Sequence, residues 1–191
     1  MTVAELTRPK AKAQRLWTYD EMVAELPETN QPLELWNGEI IRSPAPDPTH
    51  QEIVLNFAQA LKVFLSKGKL GKVYVSPVDV VLTQRRVVQP DVLFIAKARL
   101  GIVRNCIVGV PDLAMEVTSE RSWQRDRIHK KALYEQAGLP EYWIVDPDSR
   151  TIEVFALAKG LYQLHSRAEG EEAAKSKLLF GFRISFSALL R

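Results

Sequence analysis

Two acids stand where a carboxylate is expensive. Asp91 follows Pro90 in the middle of an apolar run, and Glu116 closes the apolar stretch Leu113, Ala114, Met115 and is followed by Val117. An acid in such a strand costs several kcal/mol to desolvate unless it is paired, hydrogen-bonded or bound to a metal. Two such acids on adjacent strand ends could share a hard cation such as Mg²⁺, which takes carboxylate oxygens and keeps several waters. Each could equally cap a strand end or pair with a nearby arginine. Downstream, Asp126, Lys130 and Tyr134 recur at every fourth position and so line one helix face. Lys130 could reach back over the strand end to stabilise developing negative charge or poise a water. On its own, Asp126–Lys130 is a helical ion pair worth a few tenths of a kcal/mol.

Other chemistries lack their residues. There is no GxxxxGK[ST] or GxGxxG to cradle phosphate and no GxSxG elbow for a serine hydrolase. The three histidines, His50, His129 and His165, do not make the spacing of a zinc protease. The single cysteine, Cys106, can form no internal disulfide and cannot build a thiolate zinc site. The opening MTVAELTRPKAKAQRLW has no apolar signal region, and no apolar run approaches the roughly 18 residues of a membrane span. A cytoplasmic protein with no membrane contact is expected. Lys and Arg number 26 against 23 Asp and Glu, leaving +3. That excess permits a polyanionic partner without demanding one. The cations are unevenly placed: Arg8, Lys10, Lys12 and Arg15 form a leader, while Arg121, Arg125, Arg127, Lys130 and Lys131 crowd one short stretch.

The elements that must hold these groups follow from pattern. A chain of 191 residues, 46% hydrophobic and 26% charged, reads as one soluble domain, here residues 17–191 behind a loose arm at 1–16. Thr18 and Glu21 form a capping box opening a short helix that Pro27 ends. The segment LELW, Asn37-Gly38, EIIRS predicts a hairpin, because a type I′ turn needs positive φ at both central residues. A proline-rich loop at 43–48 precedes a second capping box, Thr49 and Glu52, and an amphipathic helix reaching about Ser66. Its apolar positions Ile53, Val54, Phe57, Leu61, Phe64 and Leu65 keep helical spacing. Strands are expected at 73–75, 78–82 and 87–95, the last interrupted at Pro90 as an edge or bulge. A loop at 96–110, a buried strand at 112–118, a helix at 122–137 closed by Gly138, and a strand at 141–145 follow. A meander over 151–157 and 162–165, the charged loop EGEEAAKSK and a hydrophobic tail complete the chain. The fold class is α/β to α+β, a mixed sheet flanked by helices, with an N-terminal hairpin and a C-terminal β-meander. Trp36, Trp123, Tyr142 and Trp143 are core or a dimer patch.

The order Pro-Asp, then Glu-x-Thr, then a helical lysine resembles the PD-(D/E)xK nuclease plan, in which acids hold Mg²⁺ and a lysine assists the attacking water. More closely, the chain resembles the putative restriction endonuclease family, first described as a domain of unknown function. The matching stretches are ELWNGEI at 34–40, PTHQEIV at 48–54, QPDVLF at 89–94, PDLAMEVTS at 111–119, DRIHKKALYEQAGLPEYWIVDP at 126–147 and the closing meander. They extend over roughly residues 17–190. One departure is Ser119-Glu120, where the family usually reads Ser-Pro, which loosens the turn after the second acid and adds negative charge beside it.

The resemblance implies a restriction-endonuclease-like fold and a Mg²⁺- or Mn²⁺-dependent DNA endonuclease. It assigns Asp91 and Glu116 as metal acids and Glu34 as the upstream acid aimed at the metal. Lys130 takes the role of a migrated lysine, since Thr118 stands where a strict Glu-x-Lys motif places it. Lys131 is the adjacent rival. His50 matches the family histidine at the start of the following helix. Asp126 and Tyr134 would hold the lysine, and Arg121, Arg125 and Arg127 would contact flanking phosphates. Homodimerisation would let two sites address two strands. The competing readings are a nucleic-acid-binding module of the same fold without useful turnover, and a homodimeric interaction protein with structural carboxylates.

Overall fold

Turn residues and strand breakers sort the described residues into two large sheets and a two-stranded ribbon, as a computed structural model shows. The structure describes residues 15–27, 29, 31–118 and 125–190, without the side chains of residues 125 and 126. Arg15, the last cation of the leader, ion-pairs with Glu25 and Glu21 and lies over the Trp17 ring. The rest of the expected arm, residues 1–14, lies outside the described residues.

Helix α1 (Tyr19–Glu25) carries the expected capping box between Thr18 and Glu21. Asn37 and Gly38 take φ of 54° and 91°, the positive values the hairpin turn needs, and join β1 (Leu33–Trp36) to β2 (Glu39–Arg42). Helix α2 (Pro48–Ser66) begins one residue before the expected box. Asp47, not Thr49, is its N-cap, and its side chain accepts from the His50 amide at 2.8 Å. Pro48 fits the first helical position, where a missing N–H costs nothing. His50 therefore sits in the first turn of α2.

Strands β3 (Gly71–Val75), β4 (Val80–Thr83), β5 (Arg86–Val88) and β6 (Val92–Ala96) follow. The strand expected over 87–95 is two strands in two different sheets. Proline cannot donate to a ladder, so pairing stops at Gln89-Pro90 and the chain crosses between layers there. The expected loop at 96–110 contains a 3₁₀ turn, Lys97–Ile102, and β7 (Ile107–Val108). Strand β8 (Leu113–Val117) leads through a π-helical segment, Arg125–Lys130, into α3 (Lys131–Ala137), which Gly138 terminates at φ 82°. Then come β9 (Glu141–Asp146), β10 (Thr151–Ala158) and β11 (Leu161–Glu169). The charged loop holds β12 (Ala173–Lys175), paired with β13 (Arg183–Ser185).

The larger sheet runs β11-β10-β9-β8-β6-β3 and the smaller β2-β1-β5-β4-β7. Among the described residues, only β8 and β9 pair in parallel within the larger sheet, because α3 provides the crossover. Strand alternation gives the larger sheet two apolar faces. On one, Val92, Phe94, Met115, Val117 and Trp143 meet Phe57 and Leu61 of α2. On the other, Leu93, Ala114, Tyr142 and Ile144 meet Leu133 and Tyr134 of α3 and Val80 and Val88 of the smaller sheet. That sheet's outer face, with Leu35 and Val87, is covered by Met22 of α1. Each large side chain so buried contributes about 1.5–3 kcal/mol. Tyr142 and Trp143 are core residues, fully buried; Trp123 lies outside the described residues. No helix among the described residues is long and apolar enough to cross a membrane.

Candidate active site

The site forms where the chain crosses between sheets. Asp91 heads β6, and extending the Val92↔Met115 register by one residue sets it opposite Glu116. Its Oδ2 accepts the Val117 amide at 2.8 Å and faces His50 Nε2 at 3.1 Å. Asp91 and His50 side chains are 15% and 19% exposed, the open side of the cluster.

Glu116 alternates onto the face shared by Ala114 and α3, where it is 2% exposed. Its Oε1 accepts from Lys130 Nζ at 2.8 Å and from the Tyr134 hydroxyl at 2.9 Å. Glu34 arrives from the smaller sheet, also 2% exposed. Its Oε1 lies 3.0 Å from Lys130 Nζ and accepts the Gln89 amide at 2.8 Å, while Oε2 accepts from Trp36 Nε1 at 3.2 Å. One ammonium therefore joins an acid from each sheet. Buried ion pairs are tolerated only where further hydrogen bonds satisfy the charges, and here an amide, an indole and a phenol do so. Burial, reinforced by the Glu116 charge, holds the Tyr134 hydroxyl well above its usual range, so it stays a donor.

Glu34, Glu116, Lys130 and Tyr134 thus come together in direct contact, and the Asp91–His50 pair lies beside them on the neighbouring strand position. Arg127 points elsewhere: its guanidinium donates to Glu153 at 2.6 Å and to Asp146 at 3.2 Å. Lys131, the rival lysine, lies over the Phe155 ring at 3.6 Å. Arg121, the departure at Ser119-Glu120 and the side chains of Arg125 and Asp126 lie outside the described residues. Sequence reasoning missed Gln89 and Trp36. Their only signals were position: Gln89 directly precedes Pro-Asp, and Trp36 shares a strand face with Glu34.

Among the described residues, no three His, Cys, Asp or Glu side chains cluster to hold a metal ion. Mg²⁺ asks for less, since it is commonly bound through one or two carboxylates and keeps several waters. Asp91 and Glu116 are hard oxygen donors on adjacent strands, with Asp91 partly open, and that donor set fits Mg²⁺ or Mn²⁺.

The family model described as Uma2, putative restriction endonuclease, matches residues 19–187. Among solved structures, the chain is similar to a crystal structure titled as a putative nuclease belonging to DUF820 from Anabaena variabilis ATCC 29413. The TM-score is 0.74 at 19% identity, over 90% of this chain and 96% of that one. At that identity the likeness speaks for the fold, the mixed α+β architecture expected from the sequence. No curated protein matches the chain.

Proposed function

The chain belongs to the Uma2 family of putative restriction endonucleases, and on that premise we propose that it is a metal-dependent DNA endonuclease hydrolysing phosphodiester bonds. The observation that carries this reading is the Lys130 ammonium held between Glu34 and Glu116, with Asp91 opposite Glu116. Asp91 and Glu116 would hold Mg²⁺ or Mn²⁺, with Glu34 contributing directly or through water. When bound, the cation lowers the pKa of a water and offsets charge on the scissile phosphate.

The protein's own groups do the rest. His50 and the Val117 amide aim the Asp91 carboxylate. Tyr134 fixes Glu116 Oε1 by a donated hydrogen bond. Glu34, itself anchored by Gln89 and Trp36, holds Lys130 where its ammonium can donate to a nucleophilic water or to a phosphate oxygen. A preorganised donor of this kind stabilises developing charge without reorganising. The substrate enters from the Asp91–His50 side, because the remaining members are buried. A duplex carries two strands and one such site cuts one, so the working unit we propose is a homodimer acting in the cytoplasm.

Cleavage of supercoiled plasmid with Mg²⁺ or Mn²⁺ tests the reading, comparing wild type with Glu116→Gln. Nicking by the wild type alone places the chemistry at the acid pair. The near-complete burial of Glu34, Glu116 and Lys130 favours a second reading, a module that binds nucleic acid without turnover. That reading gains if neither protein cuts DNA or RNA yet the wild type binds DNA with an affinity that falls steeply with salt.

A further inference from the structure

Lys130 is useful only where its ammonium sits, and something must set the helix that carries it. Glu116, Ile144 and Glu153 lie on one row across β8, β9 and β10. With strands about 4.8 Å apart, the two acids bracket a span of about 10 Å. The helical segment lies over this row with a cation at each end. Lys130 reaches Glu116 at 2.8 Å, and Arg127, three residues earlier, reaches Glu153 at 2.6 Å. Arg127 also grips Asp146, at the end of β9, whose other oxygen accepts the amides of Asp148 and Ser149. One turn on, Lys131 rests on Phe155, two residues from Glu153 on the same face of β10.

We propose that Arg127 is a positioning residue, which by gripping Glu153 and Asp146 sets the rotation of the Arg125–Lys130 segment and so holds the Lys130 ammonium between Glu34 and Glu116. The forked guanidinium suits this task, because it presents two parallel donors in a fixed plane to two acceptors on different strands. The lysine side chain is long and flexible, so without that counter-clamp its ammonium has no fixed origin. The catalytic consequence rests on the endonuclease reading; the positioning itself does not.

The test has one arm that needs neither DNA nor metal. Full-length wild type, Arg127→Gln and Glu153→Gln are treated with an amine-acylating reagent, and Lys130 labelling is followed by peptide mass spectrometry against the exposed Lys159. Labelling of Lys130, 3% exposed in the wild type, is expected to rise severalfold in both variants as the segment opens locally. Unchanged labelling in a folded variant overturns the proposal. If Arg127→Gln does not fold, Glu153→Gln decides alone, since it keeps the Asp146 contact. In plasmid cleavage, kcat is expected to fall by up to about a hundredfold, the cost of a small misplacement of a reacting group. KM and the salt dependence of DNA affinity should hold, and Arg127→Lys should restore part of kcat. A raised KM with a shallower salt slope and unchanged kcat would mark Arg127 as a phosphate contact and sink the proposal. Should no protein cut DNA, the endonuclease reading fails while the labelling arm still decides the positioning role.

Discussion

Lys130 Nζ and Glu34 Oε1 stand 3.0 Å apart, so one ion pair ties the helical segment above the larger sheet to a strand of the smaller one. The same ammonium serves Glu116, and all three groups are buried. Removing one partner of a buried pair costs about 3–5 kcal/mol, because the remaining charge loses its compensation. Lys130→Met should therefore lower the urea midpoint by that equivalent. Adding Glu116→Gln in the same chain should cost less than the two changes summed, since they share a contact. A Lys130→Met protein as stable as wild type would mean that water already reaches the acids.

Tyr134 makes an alkaline prediction. Its phenol is held well above its usual value of 10.0 by burial and by Glu116, and Tyr162 is raised by burial and by Glu135. In the unfolded chain both titrate near 10, so there the unfolded state loses protons first. Stability is full below pH 10 and falls as pH rises beyond it, by about 1.4 kcal/mol per unit for each group. Phenolate absorbance should show neither residue ionising before the protein unfolds. Tyr134→Phe should make the alkaline decline shallower by one group.

What could be read from the chain beforehand was what is local. The Thr18–Glu21 box and the Asn37-Gly38 turn depend on neighbours within a few residues, and both formed as expected. Asp47 and Pro48 were hidden in a stretch rich in proline, where a helix start and a loop look alike. Pro90 announced a break, but whether a strand bulges or changes sheet depends on what lies opposite, and that information sits in β1 and β8. The same holds at the site. Lys130 and Tyr134 share a face by spacing, whereas the Gln89 amide meets Glu34 only because two layers stack. Arg127 finds Asp146 and Glu153 at separations of 19 and 26 residues, which no local pattern encodes.

Metal binding should hinge on Asp91. Calorimetric titration with Mn²⁺ is expected to show binding by the wild type and none by Asp91→Ala, with circular dichroism unchanged. The substitution also removes the acceptor for the Val117 amide, a charge-assisted hydrogen bond worth about 1.5–3 kcal/mol. Asp91→Asn, which keeps the side chain's shape, separates that loss from the metal effect. An Asp91→Ala chain that unfolds, beside a wild type that binds no metal, would make the acid structural.

Glu141 is the opposite case, a carboxylate at zero exposure that serves the fold. It accepts from Trp143 Nε1, Ser176 Oγ and the amides of Lys177 and Leu178. Glu141→Ala strands these donors, each at about 1–3 kcal/mol when buried without a partner. Hydrogen exchange at the Lys177 and Leu178 amides should accelerate before any effect reaches the Asp91 side of the molecule. Protection retained at both amides would show that the C-terminal pair β12–β13 holds the loop without it.

Adjacent lysines give the sharpest comparison. Lys130 and Lys131 differ by one position, about a 100° rotation on an α-helix, and that rotation sends them to different places. Lys130 goes down between two acids; Lys131 goes sideways onto the Phe155 ring, where burial lowers its pKa. Lys131→Ala forfeits a cation–π contact worth about 0.5–1 kcal/mol and should leave cleavage within a factor of two or three of wild type. Lys130→Ala removes a preorganised donor, for which a loss of about 10²–10³ in kcat is the usual scale. Lys130→Arg should not rescue it, because a planar fork cannot occupy the pocket of a compact ammonium shared by two carboxylates. Single-turnover cleavage, with each variant's fold checked by its melting temperature, reads the three side by side. If Lys131→Ala proved the inactive variant, the helix would have to turn by one position in the working state, and the Glu34–Lys130–Glu116 bridge would belong to the resting protein alone.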